Sequence, residues 1–291
     1  MTAGHVSQSP VMALMICASL GLSQTGSLDA AELHQRTVTA FDDYVRLVEA
    51  GINRELASNT GFLRLDFQDP ATAQSIRKTV VSGQAYLSRR AERGQDAERI
   101  EVPDGLVHHW VGAMFVPGAT IDQVLMRAGS PVSARRADGV IEARELWHQG
   151  PASRVFLKLE RKTIVTVTYN TVHDVQYGRT SQTRAWSRSA SVIIAELEGA
   201  GTPAEREKPV GQDRGFLWRL NSYWRYEQVP GGLIVELESL TLSRGMPALL
   251  RPLAMPIINV IARESLTHAL ESVRDGLTQA SVTPDRATER R

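Results

Sequence analysis

Cysteine is nearly absent: the chain of 291 residues contains one, Cys17. That excludes an intrachain disulfide and any zinc site built on paired thiolates. A surplus of either charge is also lacking, since 33 Lys and Arg face 32 Asp and Glu. A global electrostatic attraction to nucleic acid is thereby excluded, and so is one to anionic lipid. Histidine is present seven times but never as H-x-x-x-H or H-E-x-x-H, which leaves no metal pattern and no cofactor requirement. No G-x-S-x-G, P-loop or G-x-G-x-x-G stands between a strand and a helix, so the common hydrolase, nucleotide and dinucleotide chemistries have no anchor. The one long apolar run, Val11 to Leu22, has 12 residues. It is too short for a transmembrane span and of the length of a secretory h-region.

Residues 1–28 contain no Lys, Arg, Asp or Glu. They read as a signal peptide, with a periplasmic or secreted destination expected. A cytoplasmic protein with a disordered start is the alternative, because the n-region has no basic residue and no A-x-A site follows. Cys17 lies inside the run, so cleavage beyond it removes the only thiol. Ile16 stands where a lipoprotein signal wants a small residue, which argues against lipidation of that cysteine.

Residues 29–95 read as a helical extension. Leu33, Val38, Phe41, Val45, Val48 and Ile52 recur at helical spacing after a cap formed by Asp29 and Glu32. A second helix begins at Asp69 and Pro70. Residues 96–280 then shift to strand periodicity. The segment Leu106 to Val116 is apolar on both faces and must be covered twice; the N-terminal helices are the natural cover for its second side. A short helix over Thr120 to Arg127 and antiparallel strands over 140–147, 154–161, 163–175 and 184–197 follow. Residues 198–214 form a polar connection, or alternatively a flap over a cavity mouth.

In Phe216 to Tyr226 the even positions Phe216, Trp218, Leu220, Trp224 and Tyr226 share an apolar face. A turn at Pro230 and Gly231 pairs Val229 with Gly232, which sets Trp224 beside Leu237 and Arg225 beside Glu236. The prolines at 247, 252 and 256 delay the final helix, whose stripe is Ala262, Leu266, Ala269, Leu270, Val273 and Leu277. Residues 281–291 read as a disordered tail.

The segments DGLVHHWVGAMFVPGATIDQVL, DRGFLWRLNSYWRYE and ARESLTHALESVRDGL, together with the order of elements, resemble the START/Bet v 1-like superfamily, which includes polyketide cyclase-like (SRPBCC) proteins, and a bacterial branch of it. The resemblance runs from Asp104 to Leu277. It implies an α+β helix-grip fold, a curved antiparallel sheet closed on the C-terminal helix, with an apolar cavity between them and a lipid or other hydrophobic small molecule inside.

Within that frame the candidate ligand contacts are Trp110, His108, Tyr169, Trp218, Trp224 and Arg263. The aromatic residues supply apolar walls, Tyr169 a hydroxyl, and Arg263 a cation for a polar head. No residue is singled out as catalytic. Three readings stay open: a non-catalytic carrier or sensor; a cyclase, dehydratase or hydrolase using His108, Tyr169 and Arg263; or an interaction protein whose cavity is filled by its own side chains. No feature of the pattern specifies an oligomeric state.

Overall fold

The computed structural model describes residues 33–90, 101–128, 139–162, 165–209, 211–245, 249 and 251–281. The apolar run, Cys17, the cap at Asp29 and Glu32, and the polar tail beyond Ser281 lie outside them, as does Thr163 of the candidate strand 163–175. Helix α1 spans Gln35–Leu56, a 3-10 helix Arg64–Phe67, and α2 Pro70–Val81. Asp69 caps α2 by accepting from the Thr72 amide at 3.0 Å, and Pro70 opens the helix where its missing N–H has no partner to lose.

The strands are β1 (Tyr86–Arg89), β2 (Gly105–Pro117), β3 (Val140–Gln149), β4 (Ala152–Lys162), β5 (Thr166–Ser181), β6 (Arg184–Glu198), β7 (Arg206–Glu207), β8 (Arg219–Val229) and β9 (Gly232–Arg244). Helix α3, Ile121–Ala128, follows β2, and α4, Arg251–Ser281, closes the described chain. The sheet is antiparallel in the order β1-β2-β9-β8-β6-β5-β4-β3, with β7 pairing β6. The β8–β9 register is the expected one: Val229 opposes Gly232, Trp224 opposes Leu237 and Arg225 opposes Glu236.

Directly opposed residues share a face, and each face of the central strands has its own cover. On one side Met114, Val116, Val235, Leu237 and Tyr226 pack with Ile121 and Val124 of α3 and Leu266, Leu270 and Leu277 of α4. On the other, Phe41, Tyr44, Val48 and Ile52 of α1 pack on Tyr223, Leu240 and Leu242. Phe62, Leu65, Ile76 and Val80 cover Ala113 and Ile234. β2 is thus covered twice, as its two apolar faces require.

Two expectations fail on local grounds. Trp218 does not share a cluster with Trp224 and Tyr226: it lies one residue before β8 begins, donates from its backbone to Leu242, and turns its ring into the α1-side core. α4 starts at Arg251 rather than after Pro256. Pro252 falls in the first turn, where amides have no intrahelical acceptor, and Pro256 forfeits only one bond just beyond it.

The polar connection 198–214 is held down at several points. Lys158 reaches Glu205 at 2.6 Å, Asn170 donates to Glu207 at 2.8 Å and Lys208 pairs with the buried Glu196 at 2.6 Å.

Candidate ligand-binding cleft on the α4 face

α4 packs tightly on the sheet at Gly112, where a Cβ would stand 2.9 Å from both Leu266 Cδ2 and Leu270 Cδ1. Further along, Arg274 Nη1 is 3.8 Å from Met114 Sδ, and Arg127 of α3 donates to the Gly276 carbonyl at 2.8 Å. In its second half, then, the helix sits on the strands with no space for a guest. In its first half Ile257, Val260, Arg263 and Glu264 are exposed, and Ile258, Asn259, Ile261 and Ala262 are half-buried.

The facing strands change in the same way. Trp110, Ser239, Ser222 and Ser189 are opposed in one cross-strand row, and all four are half-buried. The neighbouring positions Trp224, Leu220, Ser187 and Thr241 are also half-buried. On the opposite face of the same strands Glu236, Glu238, Leu240 and Leu242 are at most 1% exposed. The α4 face therefore keeps an accessible lining of indole, leucine and hydroxyl groups in the middle of the sheet.

Of the sequence-predicted contacts, Trp110, His108 and Trp224 lie on this lining. His108 Nε2 is 3.0 Å from Ser243 Oγ, and burial, assisted by Arg89, pushes the imidazole pKa down to about 4. It is a neutral group at physiological pH. Trp224 stacks on Tyr226 with ring centroids 6.3 Å apart. Tyr169 is buried at 3% exposure, its hydroxyl held protonated by burial and the nearby Glu196 carboxylate. Trp218 belongs to the other face, its indole N–H donating to Asp213 at 3.0 Å. Arg263 is exposed. His108, Tyr169 and Arg263 share no hydrogen bond, so the acid, base and oxyanion partners of an enzymatic reading do not converge.

Sequence reasoning missed His173, which is 2% exposed on the α4 face between Thr171 Oγ1 at 3.0 Å and Ser189 Oγ at 3.4 Å. Burial pushes its pKa down to about 4. Both ring nitrogens thus meet hydroxyls, and neither meets a carboxylate. Such a pair can orient a ligand's polar group. It lacks the orienting acid and the oxyanion donors of a nucleophilic triad.

The opposite face holds a cluster that the sequence announces only at Arg225 and Glu236. Arg225, 2% exposed, donates to Glu55 at 2.6 Å and lies 3.8 Å from Glu236 and 3.6 Å from Glu238. Glu236 accepts from the amides of Arg64 at 2.6 Å and Leu65 at 3.1 Å, capping the 3-10 helix. Arg64 also pairs with Glu55, and Arg90 reaches Glu238 at 2.7 Å. Desolvation pushes Glu236 up to about 7, whereas His109, Arg90 and Arg225 hold Glu238 down at about 2 despite its burial. Burial lowers the pKa of His109, whose Nε2 lies 2.7 Å from a Glu238 carboxylate oxygen and whose Nδ1 lies 2.8 Å from the Tyr44 hydroxyl. Three arginines thus face three glutamates, and every long-range partner comes from the N-terminal extension or from β2, β8 and β9. A cavity of about 40 Å³ lies beside this cluster, between α1 and strands β6 and β8, lined by Ile52, Trp186, Tyr223 and Arg225 among others. It has room for a water or two, not for an organic ligand.

One sheet gripping a long C-terminal helix, with a short helix after its second strand, decides the architecture. The fold is a helix grip.

No protein-family model matches the chain, and no curated protein sequence does. Among solved structures it is similar to a STAR-related lipid transfer protein of Xanthomonas axonopodis, at 14% identity over 66% of this chain and 99% of that one, TM-score 0.43. It is likewise similar to human STARD10, at 8% identity over 72% and 80%, TM-score 0.42. A third similarity is to the Zhui aromatase/cyclase of a Streptomyces species, at 12% identity over 63% and 99%, TM-score 0.39. At such scores these resemblances carry no inference about ligand or reaction. Among the described residues no helix is long and apolar enough to cross a membrane, and no cluster of three metal-ligating side chains occurs.

Proposed function

We propose that the protein binds a hydrophobic small molecule or lipid, without chemical transformation, in the cleft between the first half of α4 and strands β2, β9, β8 and β6. The observation that supports this is the half-buried row Trp110, Ser239, Ser222 and Ser189, beside Trp224 and Leu220. In an antiparallel sheet whose other face is sealed, apolar side chains left accessible at the centre of the gripped face are a binding surface. The row of small hydroxyl residues keeps the floor low, and the two indoles form the walls. Apolar burial at roughly 25 cal/mol per Å² provides affinity, and hydroxyls and imidazoles fix orientation.

The test is solvent extraction of natively purified protein followed by mass spectrometry, beside a Ser222→Trp variant that raises the floor. The expected result is a stoichiometric apolar species carried by the parent and absent from a folded Ser222→Trp protein. An extract empty of such species, with no saturable binding of the neutral dye Nile red, overturns the reading.

A further inference from the structure

The floor of the cleft is made of hydroxyls to a degree that folding does not call for. Successive cross-strand rows of the α4 face run Gly112, Leu237, Trp224, Ser187; then Trp110, Ser239, Ser222, Ser189; then His108, Thr241, Leu220. Serine contributes little packing in a strand, where branched and aromatic side chains are favoured. Ser239, Ser222 and Ser189 nevertheless occupy neighbouring strands in one row, flanked by Ser187 and Thr241. Ser189 Oγ lies 3.4 Å from His173 Nδ1. The hydroxyls of Ser222, Ser239 and Thr241 make no hydrogen bond among the described residues, and all three residues are only half-buried.

Helix α4 offers the opposite chemistry. Its stripe through Leu270, Leu266 and Ala262 continues at the same spacing to Ile258, with Ile261 beside it and Asn259 as the one polar residue between Pro256 and Arg263. No Asp, Glu, Lys or Arg stands in the three rows of the floor, and burial keeps His108 uncharged at neutral pH. A charged head placed there would lose its hydration and find no counter-ion.

We propose that the guest is a rigid, uncharged, facially amphipathic molecule, with oxygens along one edge set on the Ser239, Ser222 and Ser189 row and its hydrocarbon edge under α4. Adjacent strands stand about 4.8 Å apart, so the row suits polar groups spaced about 5 Å. A molecule without oxygens would strip water from the bare hydroxyls and give them no partner in return, the costly half of the hydrogen-bond balance. This inference rests on the cleft being the binding site.

The experiment is displacement of Nile red from the full chain by methyl cholate, whose hydroxyls lie on one face of its steroid frame, by methyl cholanate, the same frame without them, and by the cholate anion. The quantity read is the ratio of the two esters' displacing concentrations within each protein, so a change in dye affinity cancels. Partition into a plain apolar cleft favours the cholanate. The expected result is the reverse, methyl cholate displacing at about three- to tenfold lower concentration, the range for one neutral hydrogen bond. Ser222→Ala and Ser239→Ala should each shift that ratio toward the cholanate, and Thr241→Val serves if either fails to fold. A parent that favours the cholanate or binds both esters equally, a ratio unmoved in the folded variants, cholate displacing better than its methyl ester, or neither ester displacing a saturably bound dye overturns the facial assignment and leaves the cleft reading standing. Absence of saturable Nile red binding overturns both.

Discussion

Arg225 of β8 donates to the carboxylate of Glu55 at 2.6 Å, a buried pair of residues 170 positions apart in the chain. It joins the C-terminal hairpin to α1, so the helical extension is part of the sheet's second cover. Removing one partner leaves an uncompensated charge in a site 2% exposed at Arg225. Arg225→Ala and Glu55→Ala are each expected to destabilise by about 3–5 kcal/mol, whereas replacing both by well-packed apolar residues recovers part of that loss. Urea unfolding of the two single variants and the double variant measures it, and additive losses would contradict the coupling.

His173 gives stability a pH dependence of predictable sign. Its folded pKa of about 4 lies below the ordinary value of 6.5, because burial disfavours the imidazolium. Its contribution is therefore fully present above pH 6.5 and is lost as pH falls from 6.5 through 4, by roughly 3 kcal/mol at most. Glu236, pushed up to about 7 by desolvation, acts with the opposite sign, losing stability as pH rises from 4.5 through 7. The comparison that isolates His173 is thus between parent and His173→Gln: the variant's stability should fall less between pH 7 and pH 4.5. Parallel pH profiles would show that His173 ionises normally in the fold.

Gly112 is the point where helix and sheet meet. A methyl group there stands 2.9 Å from three leucine methyls, of Leu266, Leu270 and Leu87. Gly112→Ala should be tolerated with a modest loss as those side chains shift. Gly112→Val should cost about 1–3 kcal/mol and lift α4, the range for overpacking a tight contact. Thermal unfolding checks the order of the two, and hydrogen exchange at Leu266 to Leu270 reports whether the helix has moved.

What was legible in the sequence was whatever depends on short-range alternation. The β8–β9 register follows from Trp224 facing Leu237 and Arg225 facing Glu236 across a two-residue turn, and the double cover of β2 follows from apolar residues on both its faces. Trp218 was misplaced because alternation holds only inside a strand, and β8 starts one residue later. His173 follows Tyr169 and Thr171 on the same alternation of β5, but nothing local marked it, since its second partner Ser189 belongs to β6, where a register shift between Val172 and His173 sets the pairing. The charge cluster could not be read beyond its one cross-strand pair, since Glu55, Arg64 and Arg90 belong to other elements and nothing local marks them as partners.

The cleft makes opposite demands on two residues that the sequence places together as ligand contacts. Trp224 stands half-buried on the α4 face beside Ser187 and Leu237, whereas Arg263 is exposed on α4. An indole in contact with an apolar ligand contributes through its buried area, so Trp224→Ala should weaken Nile red binding at least tenfold. Arg263→Ala removes no group from the lining and should leave both the dye affinity and the melting temperature within error, as surface substitutions do. Fluorescence titration of the two variants decides between an apolar wall and a cationic anchor. Loss of affinity in Arg263→Ala with Trp224→Ala unchanged would move the binding site to the outer surface of α4 and away from the gripped face.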